Sequence, residues 1–589
     1  MKSIFLTIMI LLFHTGFYAQ NGLQTCFEQS DGNRTPRYAE TIDFCRKLAD
    51  ASPMVQLTSF GKSPQGRDLP VMIVDRDGLT DPESMKASGR VILMIEACIH
   101  PGESEGKDAG MLLIRDLIRD PGSGIRDLLD HVSILFIPIF NVDGHERFGP
   151  YNRINQNGPE EMGWRVTATN LNLNRDFLKA DAPEMKAWLK LYNRWDPDFF
   201  IDIHTTDGAD YQYVLTYMME TLGEMDPGLT DWCDSIFLPA WIHEMDSTGY
   251  PVFPYVEFRR WHDPKSGLVR KVAPPMLSQG YVALRNRPGL LVETHMLKPY
   301  KQRVEASYQC LVSTLQILRN QYRELRQLNQ AADAFVQSPV FRKVPFVLRF
   351  ELSYTDSIMA AFNGFSYDTI LSTVTGGRWY KYHPVPETFT IPLFAESIPA
   401  ETIQVPEAYV VPVEWQTVIA ILKLHGVQIK ELPTDSTIRV TSYKFSDPQW
   451  RSSPYEGRHP LTRFGCTPFT EERVFPAGSV IVGTAQPAAR VIIQLLEPEG
   501  DGSLLSWGFF DAVFEQKEYF ELYVMEPMAK QMLGEDPDLR RAFEEQQATD
   551  TNWIKNQWQV MNWFLDYTPY ADKRKMVYPV GRIEGEGRR

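Results

Sequence analysis

Apolar residues in this chain arrive in short runs of strand length that end abruptly on polar side chains. Residues 91–99 run into His100, 132–140 into Asn141-Val142-Asp143-Gly144, 199–203 into His204, and 290–292 into Glu293. Between these runs the apolar spacing turns helical. It predicts helices near 38–51, 106–118 and 185–195, and a long one from about 301 to 331, where Val304, Tyr308, Leu311, Leu315, Leu318, Tyr322 and Leu325 repeat. Residues 55–74 read as a hairpin around Ser63-Pro64-Gln65-Gly66, and Pro121-Gly122-Ser123-Gly124 as a helix stop. Asp181-Ala182-Pro183-Glu184 has the look of a capping box opening the helix that follows. Strands alternating with helices predict an α/β fold, with a mainly parallel sheet covered on both faces.

From about residue 336 the texture changes. Stretches 348–352, 388–394 and 439–445 alternate apolar with polar and read as half-buried antiparallel strands. A helix over 414–425 interrupts them, and an acidic helical stretch follows over 536–559. The expected organisation is a leader over 1–19, an α/β domain over 20–335, and a β-rich α+β region over 336–589 of one or two subdomains. No repeat, low-complexity tract or cluster of reactive groups stands out after Tyr300. Between the core strands, residues 207–280 are loop-rich and aromatic, the kind of insertion in which substrate pockets are built.

Composition narrows the functional classes. The 589 residues are 43% hydrophobic with a formal net charge of −15, which disfavours nucleic acid or an anionic membrane surface as partner. Six cysteines are too sparse for a disulfide framework; pairing of Cys26 with Cys45 is left open. At the N-terminus, Lys2, the apolar run 4–13 and Phe17-Tyr18-Ala19 form a secretory signal too short to span a bilayer. The expected outcome is cleavage and export, to a secreted or periplasmic location, with no transmembrane segment remaining. A lipid anchor at Cys26 fits less well, because no small residue precedes that cysteine.

His100-Pro101-Gly102-Glu103 has a metal-ligand spacing, since one tight turn after a strand lets an imidazole and a carboxylate converge on one ion. His-x-x-Glu alone recurs by chance. Four successive runs that deliver polar groups to the carboxyl ends of strands, where α/β sheets gather their ligands, are a stronger pattern. His204 would supply a third ligand and leave a fourth tetrahedral position open, the layout of a catalytic rather than a structural zinc site.

In that order, His100-x-x-Glu103, Asn174-Arg175, His204 and Glu293 resemble the zinc carboxypeptidase family over about residues 35–330. The resemblance implies a mixed eight-stranded sheet with helices on both faces, one Zn²⁺ per chain, and a peptide or peptide-like substrate. It implies His100, Glu103 and His204 as zinc ligands and Glu293 as general base. It also implies Arg165, of the pair Trp164-Arg165, beside the scissile carbonyl, and Asn174 and Arg175 as the clamp for a terminal carboxylate. The chemistry agrees: zinc lowers the pKa of bound water to near 7, a carboxylate can carry its proton, and a guanidinium suits a carboxylate bidentately. Without the resemblance, Glu293 would read as a strand-end acid pairing with Arg285 or Arg287.

The pattern departs from the family in three places. Asn172 stands where an aspartate partner of the first zinc histidine is common. Asp176 follows the clamp arginine and would compete for it. The substrate-capping tyrosine has only loose candidates, Tyr281 and Tyr255; His145 and His295 are rival imidazoles near the same strand ends. The expected function is an exported zinc metallocarboxypeptidase. The alternatives are a zinc amidase or deacylase acting on modified amino acids or cell-wall peptides, and an inactive zinc-bearing binding module.

Overall fold

The computed structural model describes residues 23–119, 124–206, 208–223, 225–261 and 263–585. The signal read over 1–19, and all of the helix stop but Gly124, lie outside these residues.

Among the described residues of the first half, nine strands form: β1 (Val55–Lys62), β2 (Asp68–Val74), β3 (Val91–Ala97), β4 (Val132–Ile137), β5 (Phe199–Thr206), β6 (Leu215–Met219), β7 (Val252–Pro254), β8 (Leu268–Val269) and β9 (Gly289–His295). All but β8 join one mixed sheet in the order β1-β2-β4-β3-β5-β9-β6-β7. Its centre, β4-β3-β5-β9, is parallel, while β1, β2 and β6 enter antiparallel.

Two-residue periodicity divides the side chains of this sheet between two cores. Val91, Leu93 and Ile95 face helices Glu105–Arg119 and Tyr300–Gln337. Ile92 and Met94 face helix Pro183–Trp195, through Trp188 and Tyr192. Helix Glu105–Arg119 lies so close to the sheet that a Cβ at Gly110 would stand 2.3 Å from the Phe136 ring. Glycine is required there by the approach of the two layers.

The second core does not stop at the end of the first half. Tyr409, Val411, Ile419, Leu422, Val491 and Phe510 pack into it with Trp188 and Phe200. All but Phe510, which precedes the short helix Asp511–Phe514, come from a six-stranded sheet over 408–583 and from the helices Gln416–Leu424 and Ala489–Leu496 that accompany it. A long hairpin, Ile358–Leu371 with Arg378–Phe394, pairs back onto β8. The acidic stretch over 536–559 holds helix Pro537–Thr549 and the start of Gln557–Asp566, which with Leu522–Glu535 surround a small core of their own.

Two local expectations change. The capping box at 181–184 does not form: the helix cap is Ala182, and Asp181 instead accepts two 2.7 Å hydrogen bonds from Arg458. β5 and β9 continue past His204 and Glu293, which therefore pair side by side across adjacent parallel strands. All six cysteines are free thiols.

Candidate metal centre and its cavity

At the carboxyl end of β3 the chain turns tightly, with Glu103 N–H donating to the His100 carbonyl at 2.8 Å. The turn sets both side chains against His204 on β5. His100 Nδ1 lies 3.3 Å from Glu103 Oε2, His204 Nδ1 lies 3.1 Å from the same oxygen, and the two Nδ1 atoms are 3.2 Å apart. A tetrahedral zinc with ligands at about 2.0–2.1 Å has ligand–ligand edges of about 3.3 Å. The three donor atoms thus already stand at that spacing, and all three residues are buried.

The outer nitrogens are engaged, which leaves the inner ones for a metal. His100 Nε2 meets Asn172 Oδ1 at 2.9 Å, so the amide at this departure from the family pattern still serves as acceptor. His204 Nε2 meets Asp202 Oδ2 at 2.7 Å. Burial pushes His100 down to about 4. Burial would also lower His204, yet the Asp202 carboxylate outweighs it and raises that imidazole well above its ordinary value. Burial opposes ionisation of Glu103, but His100 and Arg153 hold its carboxyl well below the usual range. Two imidazoles and an ionised carboxylate are a donor set that fits zinc.

The triad opens into a cavity of about 830 Å³, lined also by Arg165, Asn174, Arg175, Tyr255 and Glu293. Among the described residues Glu293 Oε2 has no hydrogen-bond partner, and it is buried, an orphan carboxylate oxygen at the cavity wall. Burial, with Glu103 adding to it, pushes this carboxyl up to about 8. A divalent cation at the triad would draw it back down. Arg285 and Arg287 do not pair with Glu293; they bond Asn193 and Asp333.

The clamp residues are fixed from both sides. Ser278 N–H donates to Asn174 Oδ1 at 3.0 Å, which turns the amide NH₂ toward His204 Nε2, 3.4 Å away. Arg175 donates through Nε to the Tyr455 hydroxyl at 3.2 Å and through Nη1 to the Asn174 carbonyl at 2.5 Å. Asp176 does not compete for it: buried and turned away, it accepts from Lys179 and from the N–H groups of Asp181 and Ala182. Arg165 reaches Glu103 Oε1 at 3.4 Å, and Arg153 meets the same oxygen at 2.8 Å.

Tyr281 is not at the cavity. It is fully buried beside Trp188 and Tyr192, its hydroxyl 2.9 Å from His425 Nδ1. Helix Ser278–Leu284, buried along its whole length, carries the ring into the core. Tyr255 does line the cavity. Neither rival imidazole joins the triad: His145 meets Lys107 and His295 meets the Ala209 carbonyl.

Sequence reasoning missed Asp202, although alternation along β5 puts it on the same face as His204. It also missed Arg153, which no local pattern marks. The largest omission is residues 455–458. Besides Tyr455 on Arg175, Glu456 accepts from Asn172 N–H at 2.8 Å and Arg458 holds Asp181. The second half of the chain thereby braces the segment that carries the clamp.

The family model for zinc carboxypeptidases matches residues 41–222, which include the triad. Over 500 residues the chain is 24% identical to carboxypeptidase 2 of Trichophyton rubrum and to that of Trichophyton equinum, covering 81% of this chain and 85% of theirs. Among solved structures it is similar to carboxypeptidase A from Helicoverpa armigera, at 14% identity and TM-score 0.37, covering 49% of this chain and 74% of that one. It is likewise similar to a metallo-carboxypeptidase from Burkholderia cenocepacia, at 16% and 0.35, covering 48% and 68%. The family match and the long alignments bear out the resemblance read from the sequence: this chain is similar to the zinc carboxypeptidases.

Proposed function

We propose that this chain is an exported zinc metallocarboxypeptidase that removes single residues from peptide C-termini. One observation carries the reading: the metal-fitting triad, the orphan oxygen of Glu293 and the clamp residues Asn174 and Arg175 all face one cavity. Export rests on the signal pattern of residues 1–19. Among the described residues, no helix is long and apolar enough to cross a membrane.

His100, Glu103 and His204 would hold one zinc ion. A zinc bound there supplies Lewis acidity, which brings the pKa of water to near 7. Arg175 and the Asn174 amide bind the terminal carboxylate of the peptide and so fix which bond lies over the triad. Glu293, facing the same space, takes a proton from the attacking water and returns it to the departing amine. Arg165, 44% exposed at the cavity mouth, donates to the oxyanion that develops at the scissile carbonyl.

The test is a matched pair of peptides, one with a free C-terminal carboxylate and one amidated. Free-acid peptide should lose single residues and the amide should react poorly, because charge-assisted hydrogen bonds contribute about 1.5–3 kcal/mol. Arg175→Ala should cost the free acid about tenfold or more while hardly changing the amide. Equal turnover of the two peptides, or release only of an acyl group from a single amino acid, would replace this reading with the amidase one. The placement of Asp176 away from Arg175 removes one of the two departures on which that alternative stood.

A further inference from the structure

The cations around the cavity are not equally balanced. Lys271 is paired with Glu257 at 2.5 Å, and Arg153 and Arg165 both turn to Glu103. Arg175 and Arg270 differ: among the described residues, neither has a carboxylate within ion-pair reach. The Arg175 guanidinium is held by a neutral hydroxyl and a carbonyl. That of Arg270 is held through one nitrogen, Nη2, by the Thr221 hydroxyl at 2.7 Å and the Met219 carbonyl at 3.5 Å. Its remaining N–H donors have no acceptor among the described residues. The nearby acid Glu220 is directed instead at the backbone N–H groups of Leu222 and Ala273.

The position of Arg270 relates it to the clamp. Met218 and Met219 on β6 lie opposite Leu291 and Leu290, just before Glu293 on β9. From Arg270 the chain runs along the cavity wall to Ser278, whose N–H fixes Asn174. The same cavity is lined as well by the neutral side chains of Met218, Leu277, Gln279 and Leu291. A ligand with one carboxylate satisfies Arg175 and leaves Arg270 as it is. A ligand with two carboxylates offers a partner to each.

We propose that Arg270 is a specificity residue of this cavity and that the terminal residue released carries an anionic side chain, glutamate or aspartate. The inference rests on the carboxypeptidase reading above and deepens it. The Asn174–Arg175 pair takes the main-chain carboxylate, and Arg270 takes the side-chain carboxylate through a charge-assisted pair of N–H donors.

The zinc-loaded full chain would be given four peptides identical except for a C-terminal Glu, Gln, Leu or Lys, with release read by mass spectrometry. The expected kcat/KM for Glu exceeds that for the isosteric Gln by about tenfold or more. In Arg270→Gln that ratio should collapse toward one, and in Arg270→Lys, which keeps the charge, it should be partly restored. Because the readout is a ratio within one preparation, partial loss of folded protein does not move it. Equal turnover of Glu and Gln by the unaltered enzyme, or a ratio that survives Arg270→Gln, overturns the role of Arg270 while the carboxypeptidase reading stands. Release of no terminal residue from any of the four peptides overturns that reading, and this one with it.

Discussion

Glu293→Gln is expected to lower the rate of peptide hydrolysis by about 10²–10⁴-fold, the usual loss when a positioned general base is removed. Metal content should stay at the level of the unaltered protein, because Glu293 is outside the group of three ligand atoms. The substitution keeps the size of the side chain and takes away only its ability to carry a proton. Two other carboxylates near the same strands are poor substitutes. Glu96 is fully buried and does not line the cavity, and Glu105 is tied to Arg303 and Thr205. Full activity in Glu293→Gln would therefore leave the reaction without an evident base and sink the proposed mechanism.

The second large effect is expected from the ligands. Elemental analysis of the purified chain should find close to one zinc per molecule, and His100→Ala or His204→Ala should lose both the metal and the activity. Removing either imidazole leaves two donors and opens a buried polar site to water. Asp202→Asn is a graded version of the same experiment. It keeps the 2.7 Å contact to His204 available but removes the charge behind it, and changes of that kind typically weaken metal binding by about 10–100-fold. Protein that contains no stoichiometric metal, and gains no activity on adding zinc, would refute the assignment.

The central sheet and the triad were legible because their signals are local. A run of Val, Ile, Leu and Phe announces a buried strand, and the polar residue that ends it arrives at the strand's carboxyl end. His100, His204 and Glu293 declare themselves in this way, and Glu103 by its spacing from His100. Expectations that depended on distant partners fared worse. Asp181 and Glu184 have the spacing of a capping box, but Arg458, 277 residues away in sequence, takes the Asp181 carboxylate. Asp176 looked like a competitor for Arg175 because it is adjacent in sequence. Lys179 and the helix entry claim it instead. Tyr281 is a loose candidate for the substrate-capping tyrosine by family likeness, yet its helix is buried on the side covered by the second half of the chain. Nothing local to 455–458 signals that these residues reach the clamp, since their partners lie across the tertiary fold.

The shared core sets an order of events during synthesis. When helix Tyr300–Gln337 has been made, every residue of the triad and the clamp is present, but Trp188, Tyr192 and Phe200 still lack the residues from 409 onward that cover them. At about 5–20 residues per second, the remaining 250 or so residues take roughly 12–50 s to appear. For that interval the nascent first half carries an uncovered apolar face and an unbraced clamp. A chain stopped after Gln337 is accordingly expected to accumulate in the insoluble fraction rather than behave as a smaller enzyme, as sedimentation of the truncated product would reveal. Soluble, active truncated protein would mean that the first half folds without its cover. On the carboxypeptidase reading, the site would be completed only with the second half, well after its last residue has been joined.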